Sequence, residues 1–243
     1  MYLQQTAGNA AVSSLLADAH RRVVQRADGA TATAAAPAPA PADDAKKFEP
    51  IKAYLEKIPT GKHALELMDK YKVGVEFKPG GGSYYDSATN KMVIDSHHAA
   101  DRAALAFVHE MNHAEYHHKG ISADVKAMDR DTYIKKMVQE EAEGVVKSIE
   151  AKQELVEAKE KITATYPLEA EYEKAYKEAV DAEKKANPKA TADDLKKKGR
   201  EAGCKRVVKG FMDGEIVTSN TSQTYPDYYG SYWDKANAKT KAP

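Results

Sequence analysis

Phe107-Val108-His109-Glu110-Met111-Asn112-His113-Ala114-Glu115-Tyr116, FVHEMNHAEY, is the stretch around which this chain is organised. Two histidines four residues apart on a helix share one face, about one turn apart, so both imidazoles reach a single ion at roughly 2.0–2.1 Å. The glutamate that follows the first histidine lies along the same wall, placed to take a proton from a water without itself binding the ion. His109 and His113 are therefore the expected zinc ligands and Glu110 the expected general base. The helix expected over residues 98–119, stopped by Gly120, is otherwise largely apolar: Ala103, Ala104, Phe107, Val108, Met111 and Ala114. The histidines then sit in or beside a core, where an uncompensated polar group is costly.

A catalytic zinc takes three protein ligands and keeps one place for water. The extended pattern that supplies a third histidine needs Gly at position 116 and His at position 119; Tyr116 and Lys119 stand there. His117 lies about 12 Å along the helix axis from His109, too far to converge on one ion. His97 and His98 precede the helix and read as surface or capping residues. The next long helix carries Glu140, Glu141 and Glu143 about thirty residues downstream, and the connection is long enough for it to fold back antiparallel. Glu141 has Gly144 three residues on, a small residue that lets two helices approach closely. Glu140 stands second and Glu143 third, and a solvated acidic face accounts for the remaining two.

Working outward, residues 48–71 read as a helix interrupted near Pro59-Thr60-Gly61 and residues 72–77 as a strand. Gly80, Gly81 and Gly82 make a turn. Residues 83–86 and 91–95 alternate like strands around the hairpin chemistry of Ser87-Ala88-Thr89-Asn90. Residues 131–209 are almost wholly helical, broken at Pro167 and near Asn187-Pro188, with Thr191 and Asp194 as a capping box. Residues 211–233, rich in Gly, Ser, Thr and Tyr, have no clear period and read as a loop-rich segment packed on the body. At the other end, residues 30–42, ATATAAAPAPAPA, read as a semi-rigid spacer. Before them Val12, Leu15, Leu16, Ala19 and Val23 recur at helical spacing behind Asn9. The expected organisation is an amphipathic helix in residues 1–29, a linker in 30–44 and a metallopeptidase domain in 45–243. The expected fold class is α+β, mostly helical: a zincin-like core of a small antiparallel sheet, the His-Glu helix and a Glu-bearing helix, followed by long helices.

With 37 basic and 37 acidic side chains the chain carries no field that would gather nucleic acid. No stretch approaches the ~20 apolar residues of a membrane span, and residues 1–30 lack the layout of a secretory signal, so synthesis in the cytoplasm without a signal peptide is expected. Cys204 is the sole cysteine, which excludes an internal disulfide.

FVHEMNHAEY, preceded by SYYDSATNKMVID and followed by QEEAEG, resembles the small gluzincin-type metallopeptidases that occur as bacterial effector or toxin domains. The resemblance spans residues 71–145. It implies zinc-dependent hydrolysis of a peptide or protein substrate, with His109, His113 and Glu141 as ligands and Glu110 as base. It also implies that a strand beside the helix aligns substrate by edge pairing, for which Lys91 to Asp95 is the candidate. A tail tyrosine, Tyr228 foremost among Tyr225, Tyr228, Tyr229 and Tyr232, would donate to the developing oxyanion.

LQQTAGNAAVSSLL, residues 3–16, resembles a short motif of proteins associated with extracellular contractile injection systems. This implies loading into a phage-tail-like particle and delivery to a target cell. Two other readings remain at this stage. One is a non-catalytic helical binding protein in which zinc is only a staple, with Leu168, Tyr172, Ala175 and Ala179 as its interaction stripe. The other is a hydrolase of cell-wall peptides.

Overall fold

A computed structural model describes residues 42–218 and 221–238; the expected N-terminal helix and most of the spacer lie outside them. The described residues are mostly helical with one small sheet: α1 (Ala42–Leu55), α2 (Pro59–Tyr71), β1 (Gly74–Lys78), β2 (Tyr84–Asp86), β3 (Lys91–Asp95), α3 (Ala100–His118), α4 (Arg130–Glu157), α5 (Glu169–Ala186), α6 (Ala192–Met212) and α7 (Tyr225–Asn237). This is the expected α+β class. None of the described helices is long and apolar enough to cross a membrane.

The sheet is mixed where an antiparallel one was expected, in the order β1-β3-β2. β3 pairs antiparallel with β2, Tyr85 opposite Met92, and parallel with β1, Gly74 opposite Lys91. Residues 91–95 are therefore the central strand and offer no free edge, which overturns the edge assignment made from the sequence. The cause is visible in Met92-Val93-Ile94, buried to 0, 3 and 0% exposure: a continuous apolar run belongs to a strand covered on both faces. The chain steps from β1 over to β2 through Gly80, Gly81 and Gly82, all at positive φ. The Asp95 carboxylate fixes that loop, accepting from the Gly80, Gly82 and His97 amides.

The core forms where α3 lies antiparallel on α4. Every residue of α3 from Ala103 to Glu115 is buried, and α4 answers with Tyr133, Ile134, Met137, Val138, Val145, Val146 and Ile149. Ser148 Oγ donates to the Leu105 carbonyl and Asn112 Nδ2 to the Glu140 carbonyl, tying the helices at both ends of their contact. α5 and α6 form a hairpin that uses the Leu168–Tyr172 stripe internally: a Cβ on Gly203 would lie 2.5 Å from the Tyr172 ring, and one on Gly199 2.7 Å from Tyr176. The expected Thr191–Asp194 capping box starts α6.

The tail is a second correction. Instead of a loop, residues 225–237 form α7, whose N-cap Thr224 accepts from the Asp227 amide and has Pro226 in the first turn. Trp233 Nε1 donates to the Met128 carbonyl, Asn237 Nδ2 to the Val125 carbonyl, and Asp234 pairs with Arg130, so α7 is docked beside the start of α4.

Candidate metal centre

α3 and α4 bring His109, His113 and Glu141 together with ligand atoms all within 4.8 Å of one another. The His109 and His113 Nε2 atoms are 3.1 Å apart; Glu141 Oε2 lies 3.6 Å from His109 Nε2, and Oε1 lies 3.7 Å from His113 Nε2. Two donors bound at ~2.0–2.1 Å to a tetrahedral ion stand roughly 3.3–3.4 Å apart, so this donor set fits a small tetrahedral cation. His109 and His113 are 3 and 4% exposed and Glu141 0%, which places the donors in the core.

Gly144 makes the approach possible. A Cβ there would lie 2.7 Å from His109 Cε1, so the imidazole lies directly against the backbone of α4. Glu140 faces the same site in another role: its Oε1 is 2.8 Å from His113 Nδ1, which leaves Nε2 turned toward His109. Glu143 points elsewhere, to Arg200 at 2.5 Å. The three neighbouring carboxylates thus have three separate tasks.

Glu110 is 1% exposed and its Oε2 accepts from the Tyr85 amide of β2 at 3.0 Å. Burial raises its carboxyl to about 8; Glu141 adds to the rise, while His113 and the Tyr85 amide oppose it. Burial disfavours the charged form of His113, but the Glu140 hydrogen bond and the charges of Glu141, Glu140 and Glu110 outweigh it and lift the imidazole to about 9. Glu110, Glu140 and Glu141 gathered in a low-dielectric interior call for compensating positive charge, which a bound cation or protons on Glu110 and His113 would supply.

Tyr229 Oη donates to Glu141 Oε1 at 2.9 Å, both residues being 0% exposed. Tyr228, singled out from the sequence, is half-buried with its ring against Tyr229. Tyr225 is buried one turn earlier and packs on Phe211 and Tyr229. Sequence reasoning ranked the tail tyrosines without a helix to place them. The signal was Thr224-Tyr225-Pro226-Asp227, an N-cap pattern that puts Tyr225 and Tyr229 on one face.

Among the described residues, the other histidines do not join the donors. His118 stacks on Tyr71 at 4.5 Å, His117 packs near Tyr85 at 5.9 Å, and His97 is exposed. A cavity lined by Thr60, Ala64, Val108, Met111 and Lys147 opens on another face of α3 and includes none of the His–Glu donors.

The model of one protein family, described as "Putative metallopeptidase family (DUF6782)", matches residues 25–197. That span holds β1 to β3, α3, α4 and the whole His–His–Glu set; α7 lies beyond it. No curated protein and no solved structure matches the chain.

Proposed function

The chain belongs to the metallopeptidase family whose model matches residues 25–197, and on that premise we propose that it is a zinc-dependent, gluzincin-type peptidase hydrolysing peptide bonds. The observation that carries the reading is the buried convergence of His109, His113 and Glu141 beside the Glu110 carboxylate. Zinc held by the three donors would supply a Lewis acid that polarises the scissile carbonyl and lowers the pKa of water. Glu110 takes the proton of the attacking water and passes it to the leaving amine; the Tyr85 amide keeps its carboxylate aimed. Glu140 holds the His113 ring in register through Nδ1.

One reading from the sequence is refined in this scheme. The strand beside the base is β2, an outer strand, so an extended substrate would add along β2 rather than β3. Because the donors and Glu110 are at most 4% exposed, substrate entry requires β2 or α7, which contact Glu110 and Glu141, to shift outward. An oxyanion role for Tyr228 stays part of the proposal; Tyr228→Phe should then lower kcat more than it changes KM, and an unchanged kcat removes it.

Delivery as a toxin or effector by a contractile injection particle rests on residues 3–16 alone. A chain lacking residues 1–29 should no longer co-purify with such a particle while keeping its peptidase activity; retained co-purification counts against the loading role. The peptidase reading is tested by Glu110→Gln, which should abolish cleavage of an unfolded protein substrate while zinc remains bound. Undiminished cleavage would remove Glu110 from the chemistry.

A further inference from the structure

We infer that Tyr229 is the positioning residue of the third zinc ligand, so that the C-terminal helix α7 is a working part of the metal centre. The inference rests on the peptidase reading above. Both oxygens of Glu141 face the imidazoles: Oε2 lies 3.6 Å from His109 Nε2, and Oε1, which accepts from Tyr229 Oη, lies 3.7 Å from His113 Nε2. That one hydrogen bond anchors the carboxylate in the orientation that presents both oxygens to the imidazoles, as Glu140 anchors the His113 ring. The bond lies in the core, where a hydrogen bond is strong and its loss expensive.

The phenol is placed by contacts other than its own. Trp233 donates to the Met128 carbonyl, Asn237 to the Val125 carbonyl, and Arg130 pairs with Asp234, while Gly230 lies against the Arg130 guanidinium, which a Cβ there would displace. These bonds hold α7 on the first turn of α4 and the loop before it. The ring of Tyr229 also packs edge-on to Tyr133 at 6.4 Å and against Tyr228 at 5.3 Å, contacts that a phenylalanine would keep. Tyr229→Phe therefore separates positioning from packing.

The test is zinc affinity by chelator competition on the full chain, with the absorption spectrum of the cobalt(II)-substituted protein as a readout of ligand geometry. Tyr229→Phe should weaken zinc binding about 10–100-fold and shift the cobalt bands. Tyr172→Phe, which removes a phenol donating to Glu150 at 3.3 Å on the far side of α4, should change neither. Affinity and spectrum equal to wild type in Tyr229→Phe would overturn the inference. Should that variant fail to fold, the triple variant Trp233→Phe, Asp234→Asn, Asn237→Ala, which removes all three bonds that dock α7, should weaken zinc in the same direction, and unchanged affinity there overturns it as well. A wild type that binds no zinc overturns the peptidase reading and this inference with it, whereas equal affinities overturn the inference alone.

Discussion

On one side of α4, Glu140 and Glu141 face the imidazoles of His113 and His109; on the other, Glu143 and Glu150 face the guanidinium of Arg200 at 2.5 and 2.8 Å. The residue type and the helix are the same, but the cation differs. Arg200 is permanently charged, and its carboxylates are settled once the chain folds. An imidazole, unlike a guanidinium, can exchange its proton for a metal ion, so the charge on the first side is balanced only when it holds protons or a metal ion. One face of the helix is built as a fixed ion pair, and on our proposal the other is a site for an exchangeable cation.

Four experiments can break or sharpen this contrast. The largest effect is expected from Glu110→Gln on the exchangeable side, a loss of about 10²–10⁴-fold in kcat, measured on a peptide substrate with zinc content checked alongside. Arg200→Met should leave kcat intact but cost about 2–4 kcal/mol in urea unfolding, because Glu143 and Glu150 lose their cation. A variant with unchanged stability would mean that the fixed pair contributes little. Next comes a matched pair of glycines: Gly144→Ala and Gly203→Ala should each cost about 1–3 kcal/mol through overpacking. Gly144→Ala alone should also weaken zinc binding, since its Cβ displaces the His109 ring, whereas the Gly203 Cβ meets Tyr172.

The smallest effect is one of pH. Burial raises Glu110 from 4.5 to about 8, and the surrounding carboxylates, against burial, raise His113 from 6.5 to about 9. Both folded-state values lie above the unfolded ones, so the folded chain holds these protons more tightly. Their contribution to stability is present below the unfolded values and lost as pH rises through about 8 and about 9. The Tm of metal-free protein should therefore fall between about pH 4.5 and about pH 9, and zinc should flatten that fall. An equally steep fall with and without zinc would separate the carboxylates from the metal.

The contrast also shows what a sequence can and cannot disclose. Spacing alone places His109 and His113 on one face, since a helix repeats every 3.6 residues. Gly144 marks Glu141 because close helix approach needs a small residue. Whether Glu140, Glu141 or Glu143 turns inward depends on how α4 rotates against α3, and that is set by Val138, Val145, Val146 and Ile149 packing into the core. β3 was misplaced because its pairing with β1 is between residues far apart in the chain, although its unbroken apolar run already argued for a central position. α7 was missed because Gly, Ser and Tyr are indifferent helix formers; its helicity comes from the Thr224 cap and from docking through Trp233, Asp234 and Asn237. Without that helix, Tyr229 stands behind Tyr228 among the tail tyrosines named from the sequence.

The most direct measurement is zinc content by elemental analysis of the full chain, in wild type, His109→Ala, Glu141→Ala and Arg200→Met. An exchangeable-cation site on the Glu140–Glu141 face predicts about one zinc per chain in wild type and Arg200→Met and none in His109→Ala or Glu141→Ala. A wild type without zinc, or zinc retained by both alanine variants, would contradict it.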